Sequence, residues 1–344
     1  MNTARQTRAR QLTTALLLLL PLSLLSALAL GSVSLGWSES LQAILAIGQQ
    51  PAERTALIIN QIRLPRALLA GLVGALLGIS GAAMQGIFRN PLADPSLIGV
   101  TAGASLGAGL VIAGAGSWVS GLTGLTLVSL GAFTGGMLAV VLVYRLASSE
   151  NGTSVATMLL AGIAITALAG AMSNMLELFS SNEVLRRISL WRMGGLDGAD
   201  YRRVAITAAI FLLVISVLPR YATALNALLL GESEARYLGI DVEQTKTLIV
   251  VLVAVAVGTS VAMAGTIAFV GLVVPHIIRL LIGPDHRYLL PASAIAGALL
   301  LICADILART VLAPTELPVG IVTASVGVPF FISLLHRRRD FGMQ

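Results

Sequence analysis

The stretch Gln61-Ile62-Arg63-Leu64-Pro65-Arg66 stands between the first two long apolar runs of the chain, and the second run ends in Arg89-Asn90-Pro91-Leu92-Ala93-Asp94-Pro95. Charges and prolines on either side of an uncharged segment, 67–88, delimit a bilayer-spanning helix, which needs roughly 20 apolar residues. The pattern repeats outward from there, with further uncharged windows at 11–38, 95–144, 151–176, 204–219, 247–278, 288–304 and 317–336. Of 344 residues, 56% are hydrophobic and 11% charged, where a soluble domain has about 25% charged. Backbone amides in lipid must be satisfied within the chain. The runs lack the short alternation of a barrel, so an all-α polytopic bundle remains.

Two windows exceed one span. The 95–144 window breaks near Gly114-Ala-Gly-Ser-Trp-Val-Ser-Gly-Leu-Thr-Gly124, where small turn-forming residues cluster. Hydropathy alone then counts nine spans. Arg5, Arg8 and Arg10 near the start and Arg337, Arg338 and Arg339 near the end are both placed in the cytoplasm by the positive-inside rule, so the number is even. Splitting 247–278 at Gly265 gives ten, near 13–35, 64–85, 95–113, 121–145, 153–177, 201–220, 246–264, 267–282, 288–308 and 318–336. The first run is longer than the h-region of about 7 to 15 residues in a cleaved signal peptide, which favours a retained span.

The net charge of +6 comes from 21 Arg and one Lys against 16 acids. These cations fall at helix ends rather than in a patch with interleaved aromatics, so they serve anchoring and topology and not nucleic acid binding. Nine of them, Arg63, Arg66 and Arg309 included, fall on the outer side of this topology. Two explanations stand: a docking surface for an acidic soluble partner, or local neutralisation by acids such as Glu53, Glu183, Asp197 and Asp200. The single cysteine, Cys303, cannot make an intrachain disulfide, and no two of the three histidines lie one helical turn apart, so no metal cluster is expected.

Small residues one turn apart at Gly74 and Gly78, Gly103 and Gly107, and Gly131 and Gly135 predict close helix crossings. Asp94 followed by Pro95 reads as a helix N-cap rather than a proton carrier, because relay carboxylates belong in mid-span. His276 after Pro275 reads as a polar residue at a kink, and an intramembrane Ser80/His276 protease has no geometric support. Between Arg220 and Lys246, Leu225, Leu228 and Leu229 mark one short helix, Gly231 breaks it, and Glu232 to Leu238 form a second, stopped by Gly239. Glu232 and Arg236 are spaced to pair at i, i+4. This compact knob is suited either to a groove on a soluble protein or to lipid headgroups. The chain has no Gly-x-x-x-x-Gly-Lys-Ser/Thr loop and so cannot hydrolyse ATP by that route; if ATP drives transport, another subunit supplies the energy. An ion-coupled secondary carrier is the alternative, but Glu177, Asp305 and Glu316 lie near span ends rather than in mid-span.

Gln61-Ile-Arg-Leu-Pro-Arg66, Gly78-Ile-Ser-Gly-Ala-Ala-Met-Gln85, Asn90-Pro-Leu-Ala-Asp-Pro95, Met193-Gly-Gly195, Leu230-Gly-Glu232 with Ala235-Arg-Tyr-Leu-Gly239, Gly271-Leu-Val-Val-Pro-His276, Asp285-His-Arg287, Ala304-Asp-Ile-Leu-Ala-Arg309 and Glu316-Leu-Pro-Val-Gly-Ile-Val-Thr323 occur in order along nearly the whole chain. Together they resemble the FecCD permease family of vitamin B12, ferric siderophore and haem importers. The resemblance implies a type II ABC importer permease fold of ten helices, a single transmembrane domain over 1–344, and a multi-pass place in the bacterial inner membrane with both termini cytoplasmic. It implies a non-catalytic subunit acting with a second permease copy, two ATPase subunits that hold the ATP and Mg, and a periplasmic binding protein. No cofactor is implied on this chain. By the same resemblance Arg63, Arg66 and Arg309 receive acidic residues of the binding protein. The cytoplasmic coupling helices lie at about 221–240, with Leu230, Gly231, Glu232, Ala235, Arg236, Leu238 and Gly239 meeting the ATPase. The cytoplasmic gate lies in Ser148-Ser-Glu-Asn-Gly-Thr-Ser154, with Thr153 and Ser154 as its candidate residues.

Overall fold

A computed structural model describes residues 3–31, 53–114, 121–150 and 152–341. Its helices are α1 (Thr3–Ala29), α2 (Leu64–Ile87), α3 (Val100–Gly114), α4 (Gly121–Ala147), α5 (Val155–Leu178), α6 (Asn182–Arg192), α7 (Tyr201–Val217), α8 (Ala222–Leu228), α9 (Glu232–Tyr237), α10 (Val242–Ala264), α11 (Val270–Ile282), α12 (His286–Thr310) and α13 (Val319–Phe341). A π-helical segment, Ile58–Arg63, leads directly into α2. Among the described residues seven helices are long and apolar enough to cross a bilayer. Three shorter apolar ones, Val100–Gly114, Val270–Ile282 and Val319–Ser333, make ten in all. The split at Gly265 holds: α10 stops at Ala264, and Gly265, at φ +68°, takes a backbone conformation open to glycine. The expected end of the first span at residues 32–35, the centre of the break at 115–120 and Asn151 of the gate loop lie outside the described residues.

The core is built on α2, whose faces are buried nearly all round against α12, α11 and α10. Glycine sets these distances. A methyl at Gly74 would overlap the Gly297 carbonyl of α12, and one at Gly78 would overlap that of Ser293. The second and third small-residue motifs meet one another, Gly103 against Gly135 and Gly107 against Gly131, which locks α3 onto α4. Conversely α1, α5 and α7 leave most of their apolar surface outside the fold, as Leu18, Leu160, Ile163, Met175 and Leu212 illustrate.

Two departures from the sequence-based expectation have clear causes. The expected helix at 95–113 is two elements: Asp94 does act as an N-cap, accepting from Ser96 N at 2.8 Å, but it caps a 3-10 turn, Pro95–Ile98, and α3 begins only after left-handed Gly99. This irregular backbone is tolerated because it is packed within protein, with the Leu97 carbonyl against Gly162 of α5 and Pro95 against Gly271 of α11. Burial pushes the Asp94 carboxyl up, against the opposing pull of the Ser96 hydrogen bond. The second departure is α6, in a region where the hydropathy windows place nothing. Its charged residues hide it from a hydropathy search, and Ser181 starts it by capping Val184 N.

Candidate functional site

The antiparallel pair α2 and α12 gives the bundle two ends. At one, Arg66 of α2 meets Asp305 of α12; at the other, Gly86 of α2 lies against the His286 ring of α12. A cluster of charges occupies each end, and the two are built differently.

At the arginine end, Pro65 starts α2 just after the π-helical segment, which carries Arg63 and Arg66 to the same rim. Arg63 Nη1 donates to the Leu28 and Ala29 carbonyls at 2.6 and 2.9 Å, satisfying the last turn of α1 where helix carbonyls lack intrahelical partners. Arg66 donates through Nε to Asp305 Oδ1 at 2.8 Å and through Nη1 to Glu316 Oε2 at 2.7 Å. Arg309 Nε lies 3.0 Å from Asp305 Oδ2, an ion-pair contact without hydrogen-bond geometry, and its Nη2 donates to Ala27 O at 3.1 Å. Gly31 closes the cluster, since a methyl there would come within 2.9 Å of Arg63 Nη2. The three arginines are 4 to 6% exposed and Asp305 1%. Among the described residues Asp305 and Glu316 lie against Arg66 and Arg309, while Arg63 is held by the carbonyls of α1.

The sequence reading brings these three arginines to one end, and the structure gathers them there. It also shows which acids accompany them. Asp305 and Glu316 hold Arg66 and Arg309, and Glu177 pairs with Arg192 at 2.7 Å. Of the acids named as local neutralisers, Asp200 caps α7 by accepting from Arg203 N, and both Asp200 and Asp197 lie close enough to Arg203 to offset its charge. Glu53 has a side chain outside the described residues.

At the lysine end, α8 and α9 form the expected knob. Asn226 of α8 donates to Asp285 Oδ1 at 2.8 Å and accepts from His286 N at 2.9 Å, tying the knob to the start of α12. Gly231, at φ +140°, makes the break, Gly239, at φ +81°, makes the stop, and Ala235 is fully buried beneath. Leu230, Tyr237 and Leu238 are 69, 91 and 64% exposed, an apolar face on an otherwise polar loop. The expected Glu232 to Arg236 pair does not form. Glu232 reaches Lys246 at 3.1 Å and Arg236 reaches Glu243 at 3.5 Å, because α9 packs on the first turns of α10 and tertiary partners are nearer.

The gate candidates lie beside that cluster. Ser148–Ser149 and Gly152–Thr153 pair as a two-residue hairpin before α5. Thr153 is buried, while Ser154 is exposed and caps α5 through Thr157 N. Tyr237, Glu243 and Lys246 are the residues that sequence reasoning missed here. A lone lysine opening an uncharged span was the available signal, since such a charge needs a partner.

Ser80 Oγ has no hydrogen-bond partner among the described residues and so has no base, and His276 sets its ring edge-on against Phe330. Among the described residues no group of three His, Cys, Asp or Glu could hold a metal. A cleft of about 290 Å³ lies where the Asp94–Ser96 turn meets Thr266–Phe269. Phe269, at φ +68°, is held in a left-handed conformation that bulky residues rarely adopt.

Residues 17–337 match the model of the FecCD transport family. The hemin transport system permease protein HmuU of Yersinia pestis is 44% identical over 319 residues, 93% of this chain and 95% of that protein. The cobalamin import system permease protein BtuC of Halobacterium salinarum is 43% identical over 290 residues, 83% of this chain and 75% of that protein. A solved chain described as an inward-facing conformation of a metal-chelate type ABC transporter superposes with a TM-score of 0.82 at 32% identity, over 95% of this chain and 99% of that one.

Proposed function

The chain belongs to the FecCD transport family, and from that premise we propose that it is the membrane subunit of an ATP-driven importer for an iron chelate, haem or a ferric siderophore first and cobalamin second. Relatives named for hemin and for cobalamin support a substrate of this class. The observation that carries the reading is the polarity of the bundle: three arginines gathered at one end and an exposed apolar knob at the other. The arginine end faces the periplasm, where acidic side chains of a loaded binding protein are drawn to Arg63, Arg66 and Arg309. The knob faces the cytoplasm with both termini, and its Leu230, Tyr237 and Leu238 seat in an ATPase subunit that carries the ATP and Mg.

Two permease copies, two ATPase subunits and one binding protein complete the assembly. ATP binding draws the knobs together, the bundle exchanges its outward and inward openings, and Thr153 and Ser154 gate the cytoplasmic side. No cofactor is needed on this chain.

The test is reconstitution in proteoliposomes with the cognate ATPase and binding protein, measuring uptake of haem, a ferric siderophore and cobalamin. Uptake of an iron chelate that requires ATP is the expected result. Uptake driven by a proton gradient without the ATPase would establish the ion-coupled carrier instead.

A further inference from the structure

Lys246 is the only lysine of the chain, lies one turn inside α10 and is 1% exposed. Burial of an ammonium is tolerated only when it is fully engaged, and its partners come from three different segments. Nζ donates to the Thr153 carbonyl of the hairpin at 2.6 Å, reaches Glu232 of α9 at 3.1 Å, and lies 2.8 Å from Glu243 of its own helix. Glu243 in turn accepts from Thr153 N at 2.7 Å. The Thr153 residue is therefore gripped on both sides, its carbonyl by Lys246 and its N–H by Glu243.

Lys246 and Glu243 sit on one rigid helix, whereas Glu232 is the first helical residue after the Gly231 break. Rotation of α9 about Gly231 thus acts on Lys246 through Glu232 and on Glu243 through Arg236, and through both on the residue at the mouth of α5.

We infer that Lys246, with Glu243, is a positioning residue that ties the knob to the hairpin before α5, so that displacement of α9 moves the hairpin. This rests on the reading that the knob meets the ATPase.

The test uses the assembled complex of permease and ATPase in nanodiscs, with Cys303→Ser and a bimane label on Ser149→Cys of the exposed hairpin. The emission change on adding ATP and vanadate is compared between Lys246, Lys246→Met and Lys246→Arg. The expected result is a change with Lys246, about a fivefold smaller one in Lys246→Met with ATP hydrolysis retained, and recovery in Lys246→Arg. If Lys246→Met does not assemble, Glu232→Ala, which removes the α9 carboxylate from Lys246 and leaves the Arg236–Glu243 contact, is expected to reduce the change at least about twofold. An undiminished change in the assembled variant, or no change with Lys246 itself, overturns the inference. A Leu238→Cys cross-link to the ATPase separates the two readings. Its absence defeats the knob assignment, whereas a cross-link with an undiminished hairpin signal defeats only the role of Lys246.

Discussion

The arginine end and the lysine end both bury charge, yet they arrange it differently. Three guanidinium groups gather on one rim, with Asp305 and Glu316 against Arg66 and Arg309, whereas Lys246 and Arg236 alternate with Glu232 and Glu243. Guanidinium groups gathered on one rim offer a field that an oppositely charged partner can use, while alternating charges hold segments of one chain together. The apolar surface is distributed the other way. The lysine end carries its exposed side chains on the knob, and the arginine end is closed over by Gly31 and the last turn of α1. One end is thus suited to electrostatic attraction and the other to a packed contact.

The largest effect that would break this contrast is expected at Asp305. Asp305→Ala leaves two buried guanidinium groups without their shared carboxylate, and stability should fall by about 3–5 kcal/mol, read as a lower thermal midpoint of the permease in detergent. Tyr237→Ala comes next. The ring is 91% exposed, so the permease should keep its thermal midpoint while ATPase copurification weakens by about 2 kcal/mol if the ring is an interface anchor. An unchanged yield of ATPase would remove the packed-contact side of the comparison.

Arg63→Gln probes the field itself. Its removal should weaken binding-protein affinity about tenfold in low salt, with most of the loss disappearing at high salt, as surface titration of the binding protein would show. The smallest expected effect runs in the opposite direction. Glu316→Gln removes one negative charge from the rim while leaving the Asp305 contacts in place, and binding-protein affinity should rise by about two- to threefold. A fall in affinity on that substitution would mean that Glu316 shapes the docking surface rather than opposing its charge.

Much of this molecule was legible along the chain. Gly103 and Gly135 were readable as packing positions because small residues one turn apart have few other uses in lipid, and they meet as expected. Asp94 was readable as a cap, but the 3-10 turn it starts was not, because the local sequence permits a continuous helix and only contact with α5 and α11 selects the break. Glu232 shows the same limit. Its spacing to Arg236 satisfies a helix rule worth a few tenths of a kcal/mol, which a buried ammonium on α10 easily outweighs.

The sequence by itself determined the helical class, about ten apolar helices and the arginines brought to one rim, because hydropathy acts on short stretches of chain. Tertiary structure decided which charges meet: Arg66 and Asp305 are 239 residues apart, and Lys246 and Thr153 are 93 apart. No local rule relates such positions, since their contact depends on how closely glycine lets α2 approach α12 and on how the knob folds back over α10.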